Sequence, residues 1–438
     1  NEPAVSTVTP DWTGAGGIYA NPDAHPFYQL GFNSPKPDAG VMAQQGVSEP
    51  RNIIVLPGGM QRSLDLADNG KMGAALYIID PDAAKHTAFD NSAQWVKVFN
   101  SASLTENNWR VGSADSGPAP YMGMMVSRPF LRRAVAPESA HGDQVTGQVY
   151  ASDNRGNIFV LMMENPDGSR FLSDSSWKLR TAATLRLNDD PSTASYSSPF
   201  AVVIASAQGD PTVYVAGGTA NVGTRGNDDN DSALVRNKSQ MIYSFKLPDL
   251  ADASASTSRR GTWTQLGTTD TSKMPSSAPG WYMPLQAATA GEGEEYASAQ
   301  PGLMGNEVFF ATYIPEIIST GGAGACVDEK PVGKSRLFVL DLATGEGIRW
   351  KNGVKYLEFA GSMIVGITLS EQGGTSTVII TMDISDEAAF LASYNQHVAA
   401  GNLQNSSLNG NLLTITLTKG VRTKPELGDA VTNYWLLK

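Results

Sequence analysis

The sequence predicts an all-β protein, a β-propeller of irregular four-stranded blades with long loop insertions. Three observations carry that expectation. Apolar residues come in short runs bounded by Gly, Pro, Asn or Asp, the pattern of strands and turns, and helical periodicity is nearly absent. The chain holds 44 Gly and 25 Pro among 438 residues, against a usual combined share of about 12%. Above all, one form of strand pair recurs along the chain.

Each copy is a first strand, a turn or insertion, and a second strand that in most copies closes at an Asp or Pro turn. The first copy, near 51–81, joins Arg51–Gly59 to Ala74–Pro81. The second, near 147–163, joins Gly147–Asp153 to Gly156–Met162. The third, near 212–247, joins Thr212–Gly218 to Gln240–Lys246, and the fourth, near 306–342, joins Asn306–Thr312 to Ser335–Asp341. A weaker copy near 363–383 joins Met363–Ile367 to Thr377–Asp383. A blade of this kind buries its faces only against neighbouring blades, which is why the pair repeats while the insertions vary. A β-sandwich, the competing architecture, would space its strands more evenly. The clearest helix is expected over Asp386–Asn395, a surface insertion with Ala388, Ala389, Leu391 and Ala392 around one face. Residues 1–438 are read as one propeller domain.

Charge narrows the partners. With 32 Lys+Arg against 43 Asp+Glu the net charge is −11 and the pI about 4.9. No basic run exceeds the dipeptides Arg132-Arg133 and Arg259-Arg260, so no face is built to hold phosphates and nucleic acid is excluded as a partner. Charged residues are 17%, below the roughly 25% of ordinary soluble domains, which leaves a neutral surface of Ser, Thr, Asn and Gly suited to the cell exterior. No stretch approaches the ~18 apolar residues of a membrane span. The start, Asn1-Glu2-Pro3-Ala4, has neither Met nor the features of a signal peptide. The expectation is a removed leader or a portion of a longer polypeptide.

Several segments carry a family resemblance. Gln148-Val149-Tyr150-Ala151-Ser152-Asp153-Asn154-Arg155-Gly156-Asn157-Ile158-Phe159 resembles the "V-Y-A-G-D-x-x-G-N-L-W" strand pair in the C-terminal propeller of the PilY family of type IV pilus tip and biogenesis proteins. Trp177–Thr184, Thr212–Asn221 and Gly280–Leu285 are similar, in the same order, to the family's "W … L-F-T-A", "V-L-F-G-T-G-K-Y" and "G-W-Y-L-D-L" segments. Asn306–Pro315, Cys326 and Ser335–Gly345 resemble "V-I-F-T-T-x-I-P … C … S-x-L-x-x-L-D-x-x-T-G". At the ends, Gly14–Tyr19 and Thr432–Leu437 are similar to the family's glycine-rich stretch and its aromatic final strand. The family's N-terminal adhesive region and opening blade or blades are not matched. The resemblance implies a surface-exposed, extracellular module at the pilus tip, exported through the periplasm. It implies docking on minor pilins or a tip complex, support of pilus assembly and attachment, and a separate N-terminal adhesive fragment as a further partner, with no substrate turned over.

Calcium is the cofactor the resemblance implies. The family's D-x-D-G-type loop aligns with Pro137–Gly147, which keeps Glu138 and Asp143 as anionic ligands but puts Ala140 and His141 where oxygen donors belong. A richer oxygen cluster is Asp228, Asp229, Asn230 and Asp231, inserted between two strands, though Ser239 stands where an EF-hand loop would place its bidentate Glu. Gly291-Glu292-Gly293-Glu294-Glu295 reads as a solvated turn at a blade edge. Pro279–Met283 reads as packing between blades. The four histidines, His25, His86, His141 and His397, form no metal-binding spacing, and no G-x-S-x-G elbow occurs. Cys326, in a glycine-rich loop with no nearby His, suits a bond to another chain or to a missing N-terminal part better than catalysis. Thr344–Trp350 is a single imperfect instance of the quinoprotein Trp-docking motif. No catalytic residue is therefore assigned. Two other readings stay open: a secreted propeller enzyme of hydrolase or quinoprotein type, and a structural subunit of a surface filament.

Overall fold

Twenty-three strands and one α-helix make up nearly all the regular structure of the described residues. A computed structural model describes residues 38–42, 51–57, 75–81, 96–100, 130–133, 146–152, 157–164, 176–185, 198–206, 213–220, 240–247, 258–269, 272–275, 277–289, 291–316, 333–372, 375–403 and 405–417. The chain divides into two compact units, Asn1–Thr184 with Asp249–Thr257, and Leu185–Pro248 with Ser258–Lys438.

In the first unit β1 (Asp38–Met42), β2 (Arg51–Pro57), β3 (Ala75–Ile79) and β4 (Val96–Asn100) form one antiparallel sheet in chain order. β5 (Phe130–Arg133), β6 (Thr146–Ser152), β7 (Asn157–Met162) and β8 (Lys178–Thr184) lie side by side in a second, also antiparallel. Successive side chains on a strand point to opposite faces, so alternate residues such as Ile53 and Val55, or Leu76 and Ile78, share one core with Val149, Ala151, Phe159 and Leu161. Arg51, opening β2, and Asp80, just after β3, form a buried ion pair at 3.6 Å.

The second unit contains three sheets. β9 (Ser198–Ser206), β10 (Val213–Ala220), β11 (Met241–Lys246) and β14 (Gly280–Pro284) are antiparallel neighbours, and β13 (Thr264–Gln265) pairs parallel to β14. The two-residue strand β12 (Ser258–Arg259) precedes β13 in the chain. In the middle sheet β15 (Tyr296–Ala297), β17 (Glu307–Pro315), β18 (Gly333–Asp341) and β19 (Tyr356–Ala360) follow in order, with β16 (Gly302–Met304) also on β17. The last sheet runs β20 (Ser362–Gln372), β21 (Thr375–Ile384), β23 (Leu412–Leu417), β22 (Ser406–Asn409). Helix α1 (Glu387–Ala399) lies between β21 and β22 in sequence.

The middle sheet is covered on both faces. Val308, Phe310, Phe338 and Leu340 pack with Ile242, Trp281 and Met283 of the first sheet. Phe309, Ala311, Leu337 and Val339, one residue out of step, pack with Ile364, Val378 and Ile380 of the last. Double coverage explains why β17 and β18 read as near-continuous apolar runs rather than alternating ones. Three sheets in series, the central one buried twice, is the stacking expected of blades; a two-sheet sandwich offers each sheet one buried face.

The five strand pairs read from the sequence are the antiparallel ladders β2–β3, β6–β7, β10–β11, β17–β18 and β20–β21. The helix differs from its expected form. It continues past Asn395 to Ala399, and Ala388, Leu391 and Ala392 face solvent while Phe390 is its one fully buried side chain, against Phe359. Alanines fit either face, so the single aromatic decides which side docks. Asp386 caps the start, its Oδ1 accepting the Ala389 N–H at 3.0 Å.

Two glycines are required by geometry. Gly345 follows β18 with φ +68°, and a Cβ there would lie 2.4 Å from Leu266 Cδ1. Gly361 joins β19 to β20 with φ +62°; a Cβ would meet the Asp386 carbonyl at 2.5 Å, and its own carbonyl accepts the Ser385 and Asp386 N–H groups.

Candidate functional site: a charged clasp

The largest cluster of charged side chains among the described residues grows from the register of the middle sheet. Thr312 of β17 is paired with Arg336 of β18, and Arg336 with Glu358 of β19, so the three stand in one cross-strand row. Lys334, two residues before Arg336, points to the same face. Above the row lies the connection from β14 to β15, folded back on itself. Glu295 N–H donates to the Gln286 carbonyl at 2.9 Å, and Thr289 N–H to the Glu292 carbonyl at 2.8 Å.

Arg336 uses its whole guanidinium. Nη1 donates to Glu295 Oε2 at 2.8 Å, Nε to Glu358 Oε2 at 2.9 Å and Nη2 to Gln286 Oε1 at 3.1 Å, while Cζ sits 4.6 Å over the Tyr356 ring. Glu295 has no solvent exposure. Its carboxylate also accepts from Thr312 Oγ1 at 2.5 Å and from the Gln286 N–H at 2.9 Å. Lys334 Nζ bridges Glu292 at 2.9 Å and Glu358 at 3.4 Å. Glu294 reaches the neighbouring sheet, accepting the Gln240 N–H at 3.3 Å.

The charges reinforce one another. Hydrogen bonds from Lys334 and then Gln286 hold the Glu292 carboxyl below its ordinary 4.5, against the contrary effect of burial. Burial works against the charged form of Lys334, yet its hydrogen bond to Glu292 and the field of Glu358 together carry it above the ordinary lysine value. Burial opposes charge on Arg336 as well, and Glu295 foremost among its partners raises it in net. The Glu292 carboxyl is thereby a poorer proton acceptor than an ordinary glutamate, and the remaining acids are tied to cations and hydrogen-bond donors, so the cluster is built to hold geometry.

A pH dependence follows for Glu292. Its folded-state pKa is lowered, so the unfolded chain binds the proton more tightly. The stabilisation is complete above the ordinary glutamate value and is lost as pH falls through the folded value. Unfolding by urea between about pH 6 and about pH 3 is expected to show stability falling in the acid range, and a Glu292→Gln variant to fall less steeply. Equal slopes in the two proteins would refute the assignment.

The acidic run 291–295 is thus not the solvated turn expected. Glu295 is the buried acid of the clasp, and Glu292 is only partly exposed. The readable signal was Arg336: a cation inside the apolar run of β18 needs an acid, and 291–295 is the acidic stretch that supplies it. Pro279–Met283 behaves as expected, with Trp281 fully buried, its Nε1 donating to the Leu342 carbonyl at 3.0 Å and its ring edge-on to Phe310. The quinoprotein-like stretch is a structural turn: Asp341 Oδ1 accepts from the N–H groups of Ala343 and Thr344 and from Thr344 Oγ1.

The calcium candidates Glu138, Asp143, Asp228, Asp229, Asn230 and Asp231, and the thiol of Cys326, lie outside the described residues. Among the described residues no three or more His, Cys, Asp or Glu side chains gather as a metal site would require. Among the same residues no helix is long and apolar enough to cross a membrane.

No family model matches the chain, and no curated protein does. Among solved structures it is similar to the crystal structure of the Pseudomonas aeruginosa PilY1 C-terminal domain. The TM-score is 0.51 at 15% sequence identity, covering 83% of this chain and 72% of that one. The stacked antiparallel sheets and this likeness meet the resemblance read from the strand pairs: the chain has the all-β, propeller-type fold of the PilY1 C-terminal domain.

Proposed function

We propose that this chain is a PilY-like, type IV pilus-associated module at the cell surface that works through protein–protein contacts and turns over no substrate. In this reading it docks on minor pilins at the pilus tip and supports pilus assembly and attachment. The observation that carries the proposal is the fold likeness to the PilY1 C-terminal domain over 83% of the chain. The segment-by-segment sequence resemblance, in the same order, supports it. So does the clasp, whose acids are already committed to cations and amides.

The test uses the purified chain against immobilised minor pilins of the same organism, with gold-labelled antibody on intact cells. Saturable binding and label at pilus ends are expected. Label distributed along whole filaments would favour a structural subunit. Absence of both pilin binding and pilus label would sink the proposal.

A further inference from the structure

Among the described residues β19 is the edge strand of the middle sheet, and backbone groups on its outward side meet a helix. The Gly361 N–H donates to the Gly333 carbonyl and the Val339 N–H to the Lys355 carbonyl, so odd-numbered residues here turn their backbone groups toward β18. Tyr356, Glu358 and Ala360 therefore turn theirs outward. An edge of this kind is a ready template for another strand. α1 occupies it: His397 Nε2 lies 2.8 Å from the Glu358 carbonyl oxygen, and Ser393 Oγ accepts the Ala360 N–H at 3.2 Å. A carbonyl only accepts, so His397 Nε2 carries the proton.

The spacing suits the task. Residues four apart on a helix are about 6 Å apart along its axis, close to the roughly 6.7 Å between alternate residues on a strand. Ser393 and His397 can thus meet successive outward groups of β19. Phe390 and His397 both pack on the Phe359 ring, and the turn at Gly361 holds the start of the helix.

The geometry points to α1 as an edge guard: it fills backbone positions on β19 that would otherwise pair with the same strand of a second copy of this chain. The occupant excluded is that second copy, because two identical edges can run antiparallel about a two-fold axis and satisfy each other's donors and acceptors. This inference is independent of the pilus reading.

Two variants test it in the full chain. Ser393→Ala/His397→Ala keeps good helix formers in α1 and is expected to speed hydrogen exchange at the Ala360 amide about ten-fold. His397→Gln in an otherwise unchanged chain retains a donor for the Glu358 carbonyl and is expected to leave Ala360 exchange as it was. Adding Phe390→Ala to the double variant undocks the helix, and sedimentation is expected to show concentration-dependent dimers where the parent chain is monomeric. Unchanged exchange in the double variant would overturn the proposal. So would a triple variant that exchanges freely at Ala360 yet stays monomeric.

Discussion

Replacing Arg336 by Met is expected to lower the unfolding free energy by about 3–5 kcal/mol, the effect of stripping the counter-charge from a buried acid. Glu295 has no exposure, and Arg336 is its cationic partner at 2.8 Å. Thr312 and the Gln286 N–H would remain as donors, but two neutral hydrogen bonds do not replace a guanidinium. Replacing both residues, Glu295→Met with Arg336→Met, should recover most of the loss, because an apolar pair has no charge to leave unpaired. Urea unfolding of the two single variants and the double variant closes the cycle. A single variant within about 1 kcal/mol of the parent would refute the assignment of Arg336 as the charge that Glu295 depends on.

Trp281→Ala is the second large effect, with a loss of about 3–5 kcal/mol expected for a buried tryptophan truncated in a tight core. The ring is fully buried between the first and middle sheets, edge-on to Phe310, and its N–H satisfies the carbonyl of Leu342 beside the Asp341 turn. Trp281→Phe separates the two contributions. It keeps most of the apolar volume and leaves the Leu342 carbonyl without its donor, at a cost of about 1–3 kcal/mol. Thermal or urea unfolding of both variants should rank them in that order. Equal losses would mean that the hydrogen bond, not the packing, carries the anchor.

The ladders were legible because strand pairs write themselves locally: apolar runs of the right length, stopped by Gly, Pro or Asp, appear wherever β2–β3, β6–β7 and β17–β18 are found. The clasp was not. Glu295 and Arg336 are 41 residues apart, and only the long-range register of β17, β18 and β19 brings Thr312, Arg336 and Glu358 into one row. Read alone, an acidic run between glycines looks solvated, since the cation that buries it is encoded elsewhere. The docking face of α1 was hidden for another reason. Ala388 and Ala392 are small enough for either side, so one phenylalanine at position 390 overrides the apparent stripe.

Sheets stacked in series would be expected to fray one at a time, as units that touch only their nearest neighbours do in repeat proteins. The first and middle sheets of the second unit are denied that freedom. Glu294 holds the Gln240 amide, Arg336 holds Gln286, and Trp281 holds Leu342, so these ties cross from one sheet to the other at separate points. Opening either sheet would have to break these ties, so the two are expected to melt as one cooperative block, with matching hydrogen-exchange protection in β11 and β18.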